Sequence, residues 1–145
     1  MQANSSMVLL DDSGQWNEDA RVIAHWSKLN VFPHQESIPQ KVEEQALQLK
    51  NDYLAWVYDL GRYKVNNQTL PFHLQLFENL SFWWTTEIAA KNPFISPNIY
   101  QVFKLRALEQ LYLEKGCEGL VYCGNNQIMH QIFQDWCQKI GHPTK

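Results

Sequence analysis

A chain of 145 residues has the length of one ordinary domain, and its 45% hydrophobic and 13% aromatic content predicts a folded core rather than disorder. The net charge of −3, from 12 basic and 15 acidic residues, and the lack of a dense Lys or Arg run argue against a nucleic-acid partner. No apolar run approaches the ~20 residues of a membrane span, and residues 1–6 do not resemble a signal peptide. We therefore expect one soluble, cytoplasmic domain over residues 1–145.

The cysteines support the same compartment. The chain has an odd number of cysteines, and none of them forms a C-x-x-C pair: Cys117, Cys123 and Cys137. We expect reduced thiols and no metal site, because the spacing of Cys123, His130 and Cys137 matches no standard ligand pattern.

The first part of the chain predicts a strand followed by helices. Residues 7–10 are a short apolar run that ends at the polar sequence Asp11-Asp12-Ser13-Gly14, which is typical of a buried strand entering a loop. Residues 16–29 show weak helical spacing. Ser37 and Gln40 make a capping-box pattern that predicts a helix up to Gly61.

The second part alternates strands and helices. Residues 70–76 alternate apolar and polar and predict a strand with Pro71 at its start, and residues 81–90 predict a short helix ended by Asn92-Pro93. Ser96 and Pro97 then predict the start of a core helix that ends before Gly116. The end of the chain predicts a strand at residues 119–123, a turn at 124–126 and a helix at 127–140.

This alternation predicts an α/β fold, a Rossmann-like three-layer sandwich with a mostly parallel sheet. Helices placed between short apolar strands are typical of parallel sheets, in which a crossover helix joins neighbouring strands. No internal repeat interrupts the pattern.

Two consecutive segments resemble a known family. The residues are LSFWWTTEIAAKNP at 80–93 and SPNIYQVFKLRALE at 96–109. They are similar to a segment of bacterial surface-carbohydrate biosynthesis proteins, which are glycosyltransferase-like. The likeness covers roughly residues 78–140, including the predicted strand at 119–123.

The resemblance implies a two-domain fold in which two Rossmann-like halves face each other, with this chain as the N-terminal, acceptor-side half. A glycan acceptor would bind this half, and a nucleotide-sugar donor would bind a C-terminal domain that the chain lacks. No cofactor is expected in this chain, and we do not expect it to be active alone. Such a protein would act in the cytoplasm, with contact at the inner face of the membrane left open.

Asp11 and Asp12 are the first candidate catalytic residues. They follow the first predicted strand, and ligands in open α/β sheets bind at the carboxyl ends of strands. Their carboxylates could hydrogen-bond sugar hydroxyls, bind a divalent ion or act as a general base. The alternative is an ordinary acidic turn with Ser13 and Gly14.

Arg106 is a candidate substrate-binding residue. Helical spacing from Ile99 places Arg106 inside the apolar stripe, where its guanidinium could bind a ligand phosphate or carboxylate or pair with Glu78 or Glu87. The same spacing predicts that Lys104 points elsewhere and reaches solvent.

The remaining candidates come from the resembling segment and the last turn. Trp83 and Trp84 could stack on a sugar ring, although core packing is the alternative for at least one of them. Glu87 is a third catalytic candidate and Lys91 a substrate-binding one, but their spacing also suits an exposed ion pair. Asn125 could contact a sugar or phosphate in the turn Gly124-Asn125-Asn126. The alternative is a plain turn in which an asparagine caps the last helix.

Two functions from different classes remain open. The first is the acceptor-side part of a glycosyltransferase-like protein in surface polysaccharide biosynthesis. The second is a non-catalytic α/β binding or interaction domain whose aromatic surface docks on a partner.

Overall fold

The computed structural model describes residues 5–90 and 97–141. In chain order its elements are β1 (Ser6–Leu10), β2 (Val22–His25), β3 (Glu36–Ser37), α1 (Ile38–Glu44), α2 (Ala46–Arg62), β4 (Lys64–Val65), β5 (Gln68–Thr69), α3 (Leu70–His73), β6 (Gln75–Phe77), β7 (Leu80–Ser81), a 3₁₀ helix (Phe82–Thr85), α4 (Glu87–Ala90), α5 (Pro97–Glu114), β8 (Gly119–Cys123) and α6 (Gln127–Ile140).

The chain divides into two compact units. One, called the sheet unit below, contains the described residues of Met1–Glu44 and Lys104–Lys145. The other, called the aromatic unit, is Gln45–Phe103. The division falls inside α5, between Phe103 and Lys104.

The sheet unit is built on a four-strand sheet with the order β3-β2-β1-β8. All three neighbouring pairs are parallel, and Met7 of β1 lies opposite Val22 of β2 and Leu120 of β8. The prediction of an α/β fold with a parallel sheet is confirmed. The order is compatible with a Rossmann-like sandwich, in which the first three strands run outward and the fourth lies on the other side of the first.

One face of this sheet forms the main core. Residues paired in register point to the same face, so Met7, Val22 and Leu120 lie together with their neighbours two residues along each strand. Side chains of α5 and α6 pack on this face, and the fully buried members of the cluster include Leu108, Tyr112, Phe133 and Cys137.

The aromatic unit has a smaller core. Tyr53 and Val57 of α2 pack with Trp83 and Ile99. Two short antiparallel ladders, β4-β5 and β6-β7, lie between α2 and the 3₁₀ helix in the chain. Several large aromatic side chains of this unit are exposed: Trp56, Tyr58, Tyr63, Phe72, Phe77, Phe82 and Trp84.

Two predicted elements are wrong. Residues 16–29 hold no helix, because Val22–His25 form β2, a strand in the interior of the sheet. A short apolar run with β-branched residues fits either element, and pairing with β1 decides it. The predicted strand at 70–76 is replaced by α3 followed by β6, because Pro71 lies in the first turn of a short helix.

Most other boundaries agree with the structure. The strand at 119–123 and the helix at 127–140 are confirmed, and Ser37 Oγ accepts the Gln40 N–H at 3.2 Å at the start of α1. The predicted helix that ends at Gly61 is divided into α1 and α2 at Gln45. Pro97 begins α5 as predicted, whereas Asn92-Pro93 and Ser96 lie outside the described residues.

No helix in the described part of the chain is both long and apolar enough to cross a bilayer.

Candidate functional site

The candidate site lies at the carboxyl end of β1 in the sheet unit. The chain passes from β1 outward to β2 and β3, and β8 lies on the opposite side of β1. The carboxyl ends of β1 and β8 therefore mark the topological switch point, where ligands bind in open α/β sheets. Asp11 stands at this point, and its N–H donates to Cys123 O at 3.0 Å.

Three hydrogen bonds orient the Asp11 carboxylate. The Tyr122 hydroxyl donates to Oδ2 at 2.9 Å, across 111 residues of sequence. The Ser27 hydroxyl and the Asp12 N–H donate to Oδ1 at 3.3 and 2.8 Å. A carboxylate has about four acceptor sites, so Asp11 can accept one more bond from a ligand.

Two glycines let the loops approach closely at this site. Gly14 N–H donates to Asp11 O at 2.9 Å, and a Cβ on Gly14 would lie 2.1 Å from Cys123 O. A Cβ on Gly124 would lie 2.4 Å from the Tyr122 hydroxyl oxygen. Both distances are far below van der Waals contact, so any larger residue would displace the groups that hold Asp11.

Lys104 supplies an amine on the same side of the sheet. Its side chain is buried at 5% exposure, and Nζ lies 4.7 Å from the centre of the Trp26 ring. Burial lowers the pKa of Lys104, while the charges of Asp11 and Asp12 act in the opposite direction. The site therefore combines two carboxylates with a buried amine whose pKa they raise.

Tyr122 is a neutral hydrogen-bond donor. Burial is the main cause that raises the pKa of Tyr122 well above its usual range, and its bond to Asp11 acts in the same direction. Its ring packs against His130 of α6, with the ring centres 5.5 Å apart. The packing fixes the hydroxyl beside Asp11.

The arrangement can bind a hydroxyl group and accept its proton. Asp11 is only partly buried, and Asp12 is exposed, so both carboxylates can be reached from solvent. Within residues 5–90 and 97–141, no three His, Cys, Asp or Glu side chains are grouped so that they could hold a metal ion. The carboxylates of Asp11 and Asp12 can form hydrogen bonds and accept a proton.

The placement predicted for Arg106 is wrong. Arg106 is exposed and pairs with Glu109 one turn along α5, not with Glu78 or Glu87. Val102 and Leu113, two apolar residues of the same helix, are also exposed, at 51% and 67%. The apolar residues of α5 are distributed around nearly its whole circumference, so their spacing in the sequence did not reveal which face is buried.

Lys104 was predicted to reach solvent, and this is also wrong. It begins the face of α5 that is actually buried, at the spacing i, i+3, i+4, i+7 and i+8, with Ala107, Leu108, Leu111 and Tyr112. In the sequence, a lysine at helical spacing from four apolar residues was the signal that could have indicated a buried amine.

The tryptophans and Glu87 lie in the aromatic unit. Trp83 is 4% exposed and packs in the small core, as expected for at least one of the pair, whereas Trp84 is 66% exposed. Both line one groove, and Glu87 lines a second groove with Trp56 and Asn98. Lys91 lies outside the described residues.

Asn125 is an exposed turn residue, and its neighbour caps the last helix. The Asn126 side chain accepts the N–H groups of Ile128 and Met129 at 3.0 and 3.2 Å. The prediction of an asparagine cap at this turn is confirmed.

A scan against family models and searches of curated proteins and of solved structures find no match to this chain. The functional argument therefore depends on the geometry of its own residues.

Proposed function

We propose that this chain is the acceptor-binding α/β part of a glycosyltransferase-like protein in surface polysaccharide biosynthesis. The observation that carries the proposal is Asp11 at the switch point of the parallel sheet, oriented by Tyr122 and Ser27. The resemblance of residues 80–109 to surface-carbohydrate biosynthesis proteins supplies the class of reaction.

In this proposal Asp11 binds and deprotonates the attacking hydroxyl of a glycan acceptor. The hydroxyl oxygen forms the new bond to the anomeric carbon of the donor sugar, the bond from that carbon to the nucleoside diphosphate breaks, and the proton passes to the Asp11 carboxylate. Tyr122 and Ser27 hold the carboxylate in position. Lys104 offsets negative charge around the two aspartates.

The nucleotide-sugar donor is a substrate held by a facing C-terminal domain. The loop after β1 reads Asp11-Asp12-Ser13-Gly14, so it lacks the glycine fingerprint with which Rossmann domains bind a pyrophosphate. The two aspartates would repel a diphosphate at this position. An acceptor hydroxyl suits the loop better than a diphosphate does.

A non-catalytic binding domain is the second candidate. The aromatic unit exposes Phe77 at 72% and Trp84 at 66%, and exposed aromatic residues are frequent in binding surfaces. In that case the chain would bind its partner through this unit, and Asp11 would serve only the turn after β1.

The first test is a ligand-observed NMR screen of the purified 145-residue chain against short oligosaccharides, nucleotide sugars and free nucleotides. We expect oligosaccharide binding without nucleotide binding. Asp11→Asn should weaken that binding at least about tenfold, because hydrogen bonds to a charged acceptor contribute about 1.5–3 kcal/mol.

Asp59→Asn is the matched control, since Asp59 is an exposed aspartate on α2 outside the sheet unit. Binding unchanged by Asp11→Asn would contradict the role of Asp11. Binding of nucleotides alone would contradict the acceptor assignment, and binding of no ligand would favour the interaction domain.

A further inference from the structure

The aromatic unit contains a groove lined by two tryptophans, called the Trp84 groove below. Trp83 is buried and Trp84 is exposed. Val57 and Gly61 of α2 line the groove together with Pro71 and Ala89. Its volume of about 230 Å³ is below the roughly 300–1,000 Å³ of pockets for drug-sized ligands, so it suits a single ring.

A positioned cation stands at the edge of this groove. The Arg62 guanidinium carbon lies 5.1 Å from the centre of the Tyr58 ring, and Nη1 donates to the Tyr58 hydroxyl at 2.6 Å. Both residues are on α2, four positions apart, and both line the groove. The two contacts hold the guanidinium in place and leave its other N–H groups for a ligand.

The charge of the lining identifies the chemistry of the ligand. Among the described residues that line the Trp84 groove, none is acidic, and Arg62 is the charged one. A guanidinium binds a carboxylate through two parallel hydrogen bonds. An exposed indole face offers apolar contact to the C–H face of a ring.

We infer that the Trp84 groove binds a carboxylate-bearing sugar ring, with the ring face on Trp84 and the carboxylate on Arg62. The choice of a carboxylate-bearing sugar over another anionic ring rests on the proposed function, whereas the preference for an anionic group comes from Arg62 in the lining. The groove, which is lined by residues of the aromatic unit, then selects acidic sugar units of a glycan.

The test is a titration of the full chain with methyl β-D-glucuronide, methyl β-D-glucoside and benzoate, followed by the NMR signal of the Trp84 indole N–H. We expect glucuronide to shift this signal with a Kd at least tenfold below that of the glucoside. Arg62→Gln should remove this preference. Trp84→Ala, which lacks the indole signal and is titrated by isothermal calorimetry beside the wild type, should bind both sugars more weakly.

Two variants are matched controls on exposed positions of the same unit. Lys50→Gln removes a positive charge from α2, and Phe77→Ala removes an exposed aromatic ring, and neither residue lines the groove. Both should bind glucuronide like the wild type. Circular dichroism of each variant confirms that the fold is kept.

Equal affinity for the two sugars, no shift of the Trp84 signal, or the same loss in Lys50→Gln as in Arg62→Gln would overturn the inference. Tighter binding of benzoate than of glucuronide would overturn it in favour of an aromatic acid. Asp11→Asn should leave glucuronide binding unchanged, so failure of the acceptor site and failure of the groove give different results.

Discussion

Lys104 and Arg106 lie two positions apart on α5 and have opposite environments. The Lys104 amine is buried over Trp26, whereas the Arg106 guanidinium is exposed and pairs with Glu109. An exposed pair of this kind contributes little, because both charges remain hydrated. A buried amine loses its hydration and depends on the groups placed around it.

Substituting each residue by Met should separate the two roles. Arg106→Met should change the free energy of unfolding by less than about 1 kcal/mol and leave ligand binding unchanged. Lys104→Met keeps the length of the side chain and removes the buried charge. Asp11 is only partly buried and Asp12 is exposed, so their charges remain hydrated when the amine is removed. We therefore expect Lys104→Met to lower the free energy of unfolding by at most about 1 kcal/mol.

Urea unfolding and the oligosaccharide titration measure these outcomes. Lys104→Met should weaken oligosaccharide binding while Arg106→Met does not. A destabilisation above about 3 kcal/mol in Lys104→Met would instead show that folding requires the amine in an internal ion pair.

At the scale of elements, the turn from β8 to α6 decides the geometry of the candidate site. Tyr122 lies near the end of β8, Gly124 follows the strand, and Asn126 caps the helix. The turn leaves no room for a side chain at Gly124, because the Tyr122 hydroxyl and Asp11 Cβ occupy that space.

Gly124→Ala should therefore push the Tyr122 ring away from Asp11 and break their hydrogen bond. We expect a loss of about 1–3 kcal/mol in the free energy of unfolding, as for other overpacked positions, and weaker oligosaccharide binding. Chemical denaturation and the ligand titration measure the two effects.

Gly61→Ala is the control for this substitution. Gly61 lies in α2, and a Cβ at this position would meet the Trp83 side chain at an ordinary contact distance of 3.5 Å. Alanine favours a helix by up to about 1 kcal/mol over glycine, so stability should be kept or increased. Equal destabilisation by both substitutions would contradict the steric account of Gly124.

At the scale of the whole molecule, buried thiols and phenols make stability depend on alkaline pH. Burial raises the pKa of Cys137 from an ordinary 9.0 to about 11, and it also raises the pKa values of Cys117, Tyr112 and Tyr122. A raised folded-state pKa stabilises the protein fully below the unfolded pKa. That contribution is lost as pH rises through the folded pKa.

We therefore expect the free energy of unfolding to fall between pH 9 and 11. The two-unit change at Cys137 corresponds to about 3 kcal/mol. Lys104 acts with the opposite sign, because its lowered pKa favours folding as pH rises through the interval up to its unfolded value. Urea unfolding at pH 8, 9.5 and 11 measures the sum.

Cys137→Ala should have a flatter pH profile, even if it is less stable at every pH because a buried group is lost. The slope of the free energy of unfolding against pH separates the titration of the thiol from the loss of packing, which is the same at every pH. An identical slope in the wild type and in Cys137→Ala would show that Cys137 does not contribute to the pH dependence.

Local signals in the sequence predicted the elements that local interactions stabilise. An asparagine marked the start of α6, Ser37 marked the start of α1, and Pro97 marked the start of α5. Each of these signals satisfies backbone groups within a few residues. The position of Asp11 directly after a strand was also predicted from sequence, because the end of an apolar run is a local feature.

The tertiary structure alone decided the features that depend on distant residues. Val22–His25 became a strand because β1 pairs with it, and α5 buried Lys104 instead of Arg106 because the core covers that face. The Tyr122–Asp11 bond joins residues 111 positions apart. The sequence by itself determined capping and strand propensity, whose energies are local, whereas burial and long-range hydrogen bonds exist only after the chain has packed.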